Sequence, residues 1–258
     1  MKEIIPPVPR ELIEAELTAD KFHRKTNKAE NEIYILTYHD SPNIMREIGR
    51  LRELTFRTAG GGIGEEVDID EYDTRKEHPY KQLIVWDPSR REILGGYRYI
   101  HCAGLPRDEN GEVQLATTHH FHFSDEFIED YLPYVIELGR SFVQPDYQSS
   151  KAGAKALFAL DNLWDGLGAL MIDYPDIRYY FGKVTMYPQY NQSARNLILH
   201  FLAPTFQIQT NWSVLKNQCL ILPIRHEWMN YSPVKVMKRH TKYFRRRFAS
   251  MERISRRL

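Results

Sequence analysis

Residues 134–143 read YVIELGRSFV, and residues 151–172 read KAGAKALFALDNLWDGLGALMI after a polar connection. The first stretch is rich in β-branched and aromatic residues, which predicts a strand. The second stretch is long, and its apolar residues recur at the spacing of an amphipathic helix. This succession of strand, polar loop and long helix decides the fold class, because the other elements can be arranged around it.

Further strands and helices are predicted on both sides of this unit. Residues 44–56 carry apolar side chains at helical spacing behind an N-cap signature at Ser41, whereas the acidic residues 65–73 are expected to form a loop. Strands are predicted at residues 32–38, 81–86, 93–101, 179–186 and 218–224, and further helices at 11–17 and 193–202. The pattern is typical of an α/β protein.

The composition is that of an ordinary globular protein. Hydrophobic residues make up 42% of the chain and charged residues 27%, values that disfavour disorder and coiled-coil architectures. Cys102 and Cys219 lie far apart and outside any CxxC pattern, so no disulfide framework or zinc finger is indicated. The N-terminus lacks the features of a signal peptide and no run of 18 apolar residues occurs, so a cytoplasmic protein is expected.

Three regions are distinguished along the chain. Residues 1–30 are expected to be a leader with a short helix, and residues 31–225 the main domain. Residues 226–258 form a basic C-terminal segment, in which residues 235–258 carry ten Lys or Arg side chains against the single acid Glu252. Four aromatic or aliphatic residues alternate with these charges at near-helical spacing, as in an interfacial amphipathic helix: Phe244, Phe248, Met251 and Ile254.

Four short blocks of charged residues occur in a fixed order within the main domain. They are Arg52 with Phe56, the acidic motif DIDEYD at 68–73, Arg98 within GYR at 96–98, and Glu137 with Arg140 within ELGR at 137–140. This ordered set resembles the signature of the acyl-homoserine-lactone synthases, which belong to the GNAT superfamily of acyltransferases. The chain departs from that signature in having Gly62 in place of a tryptophan and Asp68 in place of a glutamate.

These departures make the chain more similar to a sister branch, the amino-lipid N-acyltransferases that are often described as hemolysin-like. The resemblance implies a GNAT fold, in which a splayed mixed central sheet, flanked by helices, opens a cleft for the pantetheine arm of an acyl donor. It also implies transfer of a 3-hydroxyacyl group from acyl carrier protein, or from acyl-CoA, to the amine of glycine or ornithine. This reaction is the first step toward glycine lipids or ornithine lipids, and no permanently bound cofactor is expected.

Attack of an amine on a thioester requires a neutral amine, and a nearby carboxylate can take its proton directly or through water. Asp70, Asp73 and Glu137 are the candidates for this catalytic role. A guanidinium on a strand could hold the acidic loop or bind the carboxylate of an amino acid. Arg98 and Arg140 are candidates for either role, and Arg52, Phe56 and Asp68 complete the substrate-binding or structural set.

Residues 144–153 occupy the place of the GNAT pyrophosphate loop, where backbone N–H groups at a helix N-terminus bind phosphate. This loop contains little glycine, which favours the single phosphate of acyl carrier protein over the diphosphate of coenzyme A. The residues predicted to bind the donor are Phe142, Val143, Gln148, Lys151 and Gly153.

The basic residues 235–258 could contact the acidic carrier protein or an anionic membrane surface, which predicts a peripheral location on the inner membrane. A purely solvated tail is the alternative. The chain has no recognised nucleic-acid-binding motif. His119, His120 and His122 lack Asp, Glu or Cys at ligand spacing, so no metal site is predicted.

Several alternatives stay open from the sequence. A signal synthase that acts on S-adenosylmethionine and a non-catalytic carrier-binding or membrane-binding module are the competing interpretations. Tyr187 or Tyr190 could supply a phenol to protonate the leaving thiolate, as a tyrosine does in many GNAT enzymes. The acceptor amine, the acyl chain length, the choice between the two donors, the oligomeric state and the carboxylate that acts as base are undetermined.

Overall fold

The computed structural model describes residues 1–148, 154–187, 189–205 and 213–215. The chain divides into two compact units. Among the described residues, the first unit consists of 1–148, 154–187 and 213–215, and the second consists of 189–205.

The first unit contains four α-helices and eight strands among the described residues. Its helices are α1 (Arg10–Glu16), α2 (Pro42–Thr58), α3 (Glu71–Thr74) and α4 (Ala154–Asp173). Its strands are β1 (Phe22–Lys25), β2 (Glu32–Leu36), β3 (Lys81–Asp87), β4 (Glu92–His101), β5 (Phe121–Phe123), β6 (Val135–Val143), β7 (Tyr179–Phe181) and β8 (Ser213–Leu215). The second unit contains α5 (Gln192–Thr205).

Six strands form one mixed sheet in the order β1-β2-β3-β4-β6-β7. All neighbours in this sheet are antiparallel except β6 and β7, which are parallel. Strands β5 and β8 form a separate antiparallel pair. The sheet has the mixed character that the sequence predicts.

Helices α2 and α4 cover opposite faces of the sheet, because alternate residues of a strand point to opposite sides. Ile84 and Trp86 on β3 pack in one core cluster with Ile44 and Ile48 of α2. Leu83 and Val85 on the same strand belong to a second cluster with Leu163 of α4. Burial of these apolar side chains supplies the main driving force that holds the layers together.

The first 30 residues are part of the first unit. Val8 and Ile13 are buried in the cluster beneath α2, and β1 forms an edge of the sheet. The backbone N–H of Val8 donates to Glu47 of α2 over 3.0 Å. Residues 1–30 therefore contribute side chains to the core and a strand to the sheet of the first unit.

The N-cap expected from Ser41 is not formed by that residue. Its hydroxyl donates to Asp40, and the first N–H groups of α2 are bound by the carboxylate of Glu16 from α1. The donors are Asn43 N at 3.0 Å and Ile44 N at 2.8 Å. A carboxylate at this end of a helix also interacts favourably with the helix dipole.

Strands β6 and β7 pair over three residues only, from Val135 to Glu137 on β6 and from Tyr179 to Phe181 on β7. β6 continues to Val143, whereas the chain after Phe181 leaves the ladder. Gly182 still lies against β6, since a Cβ there would be 2.9 Å from the carbonyl oxygen of Leu138. Beyond this point the sheet opens, as the predicted splayed sheet requires.

The remaining differences from the sequence expectations are local. The predicted strand 179–186 is shorter, and the acidic segment predicted to be a loop ends in α3. β1, β5 and a π-helical turn at Phe127–Tyr131 were not predicted. The predicted strand at 218–224, the basic segment 226–258 and the donor-site residues Lys151 and Gly153 lie outside the described residues.

Candidate active site

The acidic motif 68–73 is folded as a cap on α3. Asp70 accepts hydrogen bonds from Tyr72 N at 3.0 Å and from Asp73 N at 3.3 Å. The Asp73 carboxylate in turn accepts a hydrogen bond from Asp70 N over 3.3 Å, which completes a capping box. This local arrangement directs both carboxylates toward the sheet.

Asp73 lies at the centre of a buried ion network. Its Oδ2 contacts Arg52 Nη1 at 3.1 Å and Arg98 Nη1 at 3.2 Å, and its Oδ1 accepts from Gln82 Nε2 at 2.8 Å. Asp73 and Arg52 are fully buried. Buried charges are tolerated only when they are paired and hydrogen-bonded, as they are here.

Arg98 joins this network to the outer carboxylate. Its Nη1 also contacts Asp70 Oδ1 at 2.6 Å, and its guanidinium lies over the Tyr80 ring with 4.9 Å to the centroid. Burial opposes the charge of Arg98, but Asp73 and Asp70 raise its pKa. Although burial opposes ionisation of Asp70, the hydrogen bond and charge of Arg98 hold the pKa of Asp70 below its usual value.

Helix α2 holds the acidic segment through a glycine. The N–H of Asp68 donates to the carbonyl of Gly49 over 2.9 Å. A Cβ at Gly49 would lie 2.7 Å from Ile69 Cγ1, so only glycine allows this approach without displacement of the neighbour.

A β-bulge in β6 presents Arg140 to the same acidic segment. Gly96 pairs with Phe142 and Arg98 pairs with Gly139, so Arg140 and Ser141 together face one residue of β4. Arg140 has a φ of 51°, a conformation that non-glycine residues rarely adopt. Its side chain binds Asp68 and Asp70, with Nε 3.0 Å from Asp68 Oδ2 and Nη2 3.4 Å from Asp70 Oδ2.

Asp68 is the third carboxylate of the segment and is only 1% exposed. Burial raises its pKa, and the charges of Arg140 and Arg52 oppose that rise. The structure therefore brings together three arginines and three aspartates from four parts of the chain: Arg52, Arg98, Arg140, Asp68, Asp70 and Asp73.

Glu137 lies on the next part of β6 in a different environment. Its side chain is 1% exposed, and its Oε2 accepts from the Thr117 hydroxyl over 3.0 Å. Burial raises the pKa of Glu137 to about 7, against the opposing hydrogen bonds from Thr117 and Tyr80. A carboxyl group with a pKa near neutrality can both bind and release a proton under physiological conditions.

These environments separate the three catalytic candidates. Asp73 has both carboxylate oxygens engaged and no exposed surface, which favours a structural role over that of a base. Asp70 keeps partial exposure, but it is fixed by Arg98 and by the cap of α3. Glu137 is the candidate whose protonation can change near neutral pH.

The residues predicted to bind the acyl donor or the substrate differ in their exposure. The Phe142 side chain is buried in the core cluster beneath α2, so only its backbone is available to a donor. Val143 and Phe56 are partly buried against the core. Gln148 is exposed, and its amide donates to the carbonyl of Val143.

Sequence reasoning missed two residues near the cleft. Lys183 follows β7 where the sheet opens, and its Nζ is 2.7 Å from Nε2 of His120. The sequence indicates His120 only as a possible metal ligand, and no sequence pattern points to Lys183. Tyr187, a candidate for the acid, lies against the backbone of Gly61, where a Cβ would be 1.9 Å from the Tyr187 Cζ.

A cavity of about 410 Å³ lies between α3 and residues 108–119. Neither Glu137 nor Arg140 lines it; its walls are Glu71, Tyr72, Arg75, Asp108, Glu112, Val113, Gln114, Thr118 and His119. Across the described residues, no group of three His, Cys, Asp or Glu side chains could hold a metal ion. None of the helices in the described part is long and apolar enough to cross a membrane.

Residues 51–157 match the family described as acetyltransferase (GNAT) domain. This range contains the acidic segment, all three arginines of the ion network and β6 with its bulge. This match confirms the superfamily and the fold class predicted from the sequence.

Curated relatives extend this match. A glycine N(alpha)-acyltransferase of Bacteroides thetaiotaomicron is 62% identical over 206 residues, which cover 80% of this chain and 61% of the relative. A protein of the same description from Phocaeicola vulgatus is 59% identical over 206 residues, 80% of this chain and 63% of the relative. An L-ornithine N(alpha)-acyltransferase of Brucella abortus is 27% identical over 191 residues, 70% of this chain and 58% of the relative.

The chain thus spans 58% to 63% of the length of these relatives. No solved structure was found to match it.

Proposed function

We propose that this chain is an N-acyltransferase that transfers a fatty acyl group from a thioester donor to the amine of glycine. The observation that carries the proposal is Glu137, a buried carboxyl group with a pKa of about 7 on the strand where the sheet opens. The GNAT match and the relatives described as glycine N(alpha)-acyltransferases support the same chemistry. Ornithine is the alternative acceptor, supported by the more distant relative.

In this reaction the nitrogen lone pair of the amine attacks the thioester carbonyl carbon, an amide bond forms and the carbon–sulfur bond breaks. The leaving thiolate takes up the second proton, which the attacking nitrogen loses as the amide forms, and the ammonium proton of the acceptor must be removed before attack. Glu137 receives that proton through a water or through the hydroxyl of Thr117, since its side chain is buried behind that residue. Protonation also relieves the cost of a buried charge at this position.

The bulge at Arg140 supports binding of the donor. The extra residue of a bulge leaves a backbone N–H outside the regular ladder. Such a group on β6 is well placed to donate a hydrogen bond to the carbonyl oxygen of the thioester, where negative charge develops. The fixed ion network behind the bulge would keep the donor group stationary during the reaction.

Two sequence features support proposals about the acyl donor and about the place in the cell where the reaction occurs. The glycine-poor connection 144–153 favours acyl carrier protein over coenzyme A, with acyl-CoA as the alternative. The product would then be a lyso-amino-lipid, in a pathway to glycine lipids. The basic residues 235–258 favour work at an anionic membrane surface.

The test is a purified-protein assay with 3-hydroxyacyl-acyl carrier protein or 3-hydroxyacyl-CoA as donor and glycine, ornithine or S-adenosylmethionine as acceptor, read by mass spectrometry. We expect N-acylglycine, with the carrier-protein donor giving the larger kcat/KM. Acyl-homoserine lactone as product would instead identify a signal synthase. Binding of the carrier protein with no acylated product would identify a non-catalytic module, and either result would overturn the proposal.

A further inference from the structure

Lys183 and His120 form a close pair at the mouth of the opening between β6 and β7. The distance between Lys183 Nζ and His120 Nε2 is 2.7 Å. Lys183 lies two positions beyond the last paired residue of β7, and Arg140 lies three positions beyond the last paired residue of β6. Both members of the Lys–His pair are exposed, so an incoming molecule can reach them.

The charges around this pair determine its hydrogen bonding. Burial, together with the charges of Lys183, His119 and Arg140, lowers the pKa of His120, so the imidazole is neutral at physiological pH. A neutral imidazole accepts one N–H of the Lys183 ammonium at Nε2. An ammonium has three N–H donors, and two remain for a further acceptor.

Lys183 lacks the partner that other cations in this region have. Arg52, Arg98 and Arg140 are balanced by Asp68, Asp70 and Asp73 in the ion network. No carboxylate among the described residues lies within ion-pair distance of Lys183, and partial desolvation with the charges of Arg140 and Arg98 lowers its pKa. A bound anion would remove this electrostatic cost.

We propose that Lys183, oriented by His120 and adjacent to Arg140, binds the α-carboxylate of the acceptor amino acid. This inference rests on the proposed N-acyl transfer and adds the residue that recognises the acceptor. The amine and the carboxylate of an α-amino acid are joined through one carbon atom. Glu137 pairs with Phe181, two residues before Lys183, so a molecule as short as glycine can bring its amine toward Glu137 while its carboxylate contacts Lys183.

The proposed site for the acceptor carboxylate differs in position from the site expected for the donor phosphate. The helix α4 follows the other end of β6, after Val143, and there the donor phosphate is expected. Lys183 lies near the end of the β6–β7 ladder, where Gly182 contacts Leu138. The two anions therefore have separate positions along β6.

The test is steady-state kinetics of Lys183→Met with glycine and with glycinamide, which retains the amine but lacks the carboxylate. We expect the KM for glycine to rise about 10- to 100-fold, as for loss of a charge-assisted hydrogen bond, while the KM for the acyl donor is unchanged. Glycinamide should be used equally poorly by the wild type and the variant. Lys183→Arg should restore most of the affinity for glycine, and His120→Gln should give a smaller rise in KM.

His122→Gln and Lys25→Met are the matched controls, because both side chains are exposed and pair with other residues, Glu112 and Glu30 respectively. They should leave all kinetic constants unchanged. A rise in the donor KM, or an unchanged glycine KM in Lys183→Met, would overturn the inference while the wild type still makes N-acylglycine. Should the wild type make no such product, the proposed function fails first, and calorimetric binding of glycine to wild type and Lys183→Met decides the carboxylate site: equal or absent binding would overturn it.

Discussion

Asp73 and Glu137 are both carboxylates with almost no exposed surface, and their partners are of opposite kinds. Asp73 contacts the guanidinium groups of Arg52 and Arg98, whereas the contacts of Glu137 are the hydroxyls of Thr117 and Tyr80. Cations compensate a buried negative charge more strongly than hydroxyls do, and with hydroxyl partners the pKa of Glu137 is raised to about 7. Burial alone therefore does not mark a catalytic acid or base; the partners decide whether the group is structural or can exchange protons.

The largest effect is expected when the Glu137 carboxylate, the proposed proton acceptor, is replaced by an amide. We expect Glu137→Gln to reduce kcat by about 10²- to 10⁴-fold, the usual contribution of general acid–base catalysis, with folding retained. The measurement is the rate of N-acylglycine formation, with circular dichroism to verify the fold. Glu129→Gln, an exposed site, is the matched control and should keep wild-type rates. Equal activity of Glu137→Gln and wild type would exclude Glu137 as the base.

Replacement of Asp73, the carboxylate in the ion network, should lower the free energy of unfolding. Asp73→Asn leaves Arg52 and Arg98 buried with one negative charge fewer, and loss of one partner of a buried ion pair costs about 3–5 kcal/mol. Urea denaturation would measure this loss in the free energy of unfolding. Asp125→Asn on the exposed surface should change that free energy by less than about 0.5 kcal/mol. A loss of comparable size in both variants would contradict the structural role of Asp73.

The raised pKa of Glu137 also predicts a pH dependence of stability. The unfolded chain releases this proton near pH 4.5 and the folded protein near pH 7, so the folded state binds more protons between these values. The contribution of Glu137 to stability is therefore complete below pH 4.5 and is lost as the pH rises through 7. Relative to wild type, Glu137→Gln should gain up to about 3 kcal/mol in unfolding free energy between pH 4.5 and pH 8. Parallel stability curves for the two proteins would refute this assignment.

The sequence indicates that acids and arginines from separate blocks converge, because such groups need partners once the strands and helices around them are buried. It does not distinguish the roles of Asp73 and Asp70, since both lie in one acidic motif and their burial depends on the path of α3. The contact between Glu16 and the start of α2 was not predictable from local capping rules, because the two lie far apart in sequence. The position of Lys183 beside the opening could not be predicted, because it depends on where β7 leaves the sheet.

The smallest of the expected effects concerns the glycine that supports the ion network. Gly49→Ala places a Cβ 2.7 Å from Ile69 Cγ1, and such overpacking costs about 1–3 kcal/mol of unfolding free energy. Because Gly49 contacts the acidic segment and not Glu137, the pH at which activity is half-maximal should remain that of the wild type. Gly168→Ala is the matched control: a Cβ there meets no atom within 4 Å, and alanine should stabilise α4 by up to about 1 kcal/mol. A shift in the pH profile of Gly49→Ala would show that the network and Glu137 act as one unit, which would remove the distinction between the two carboxylates.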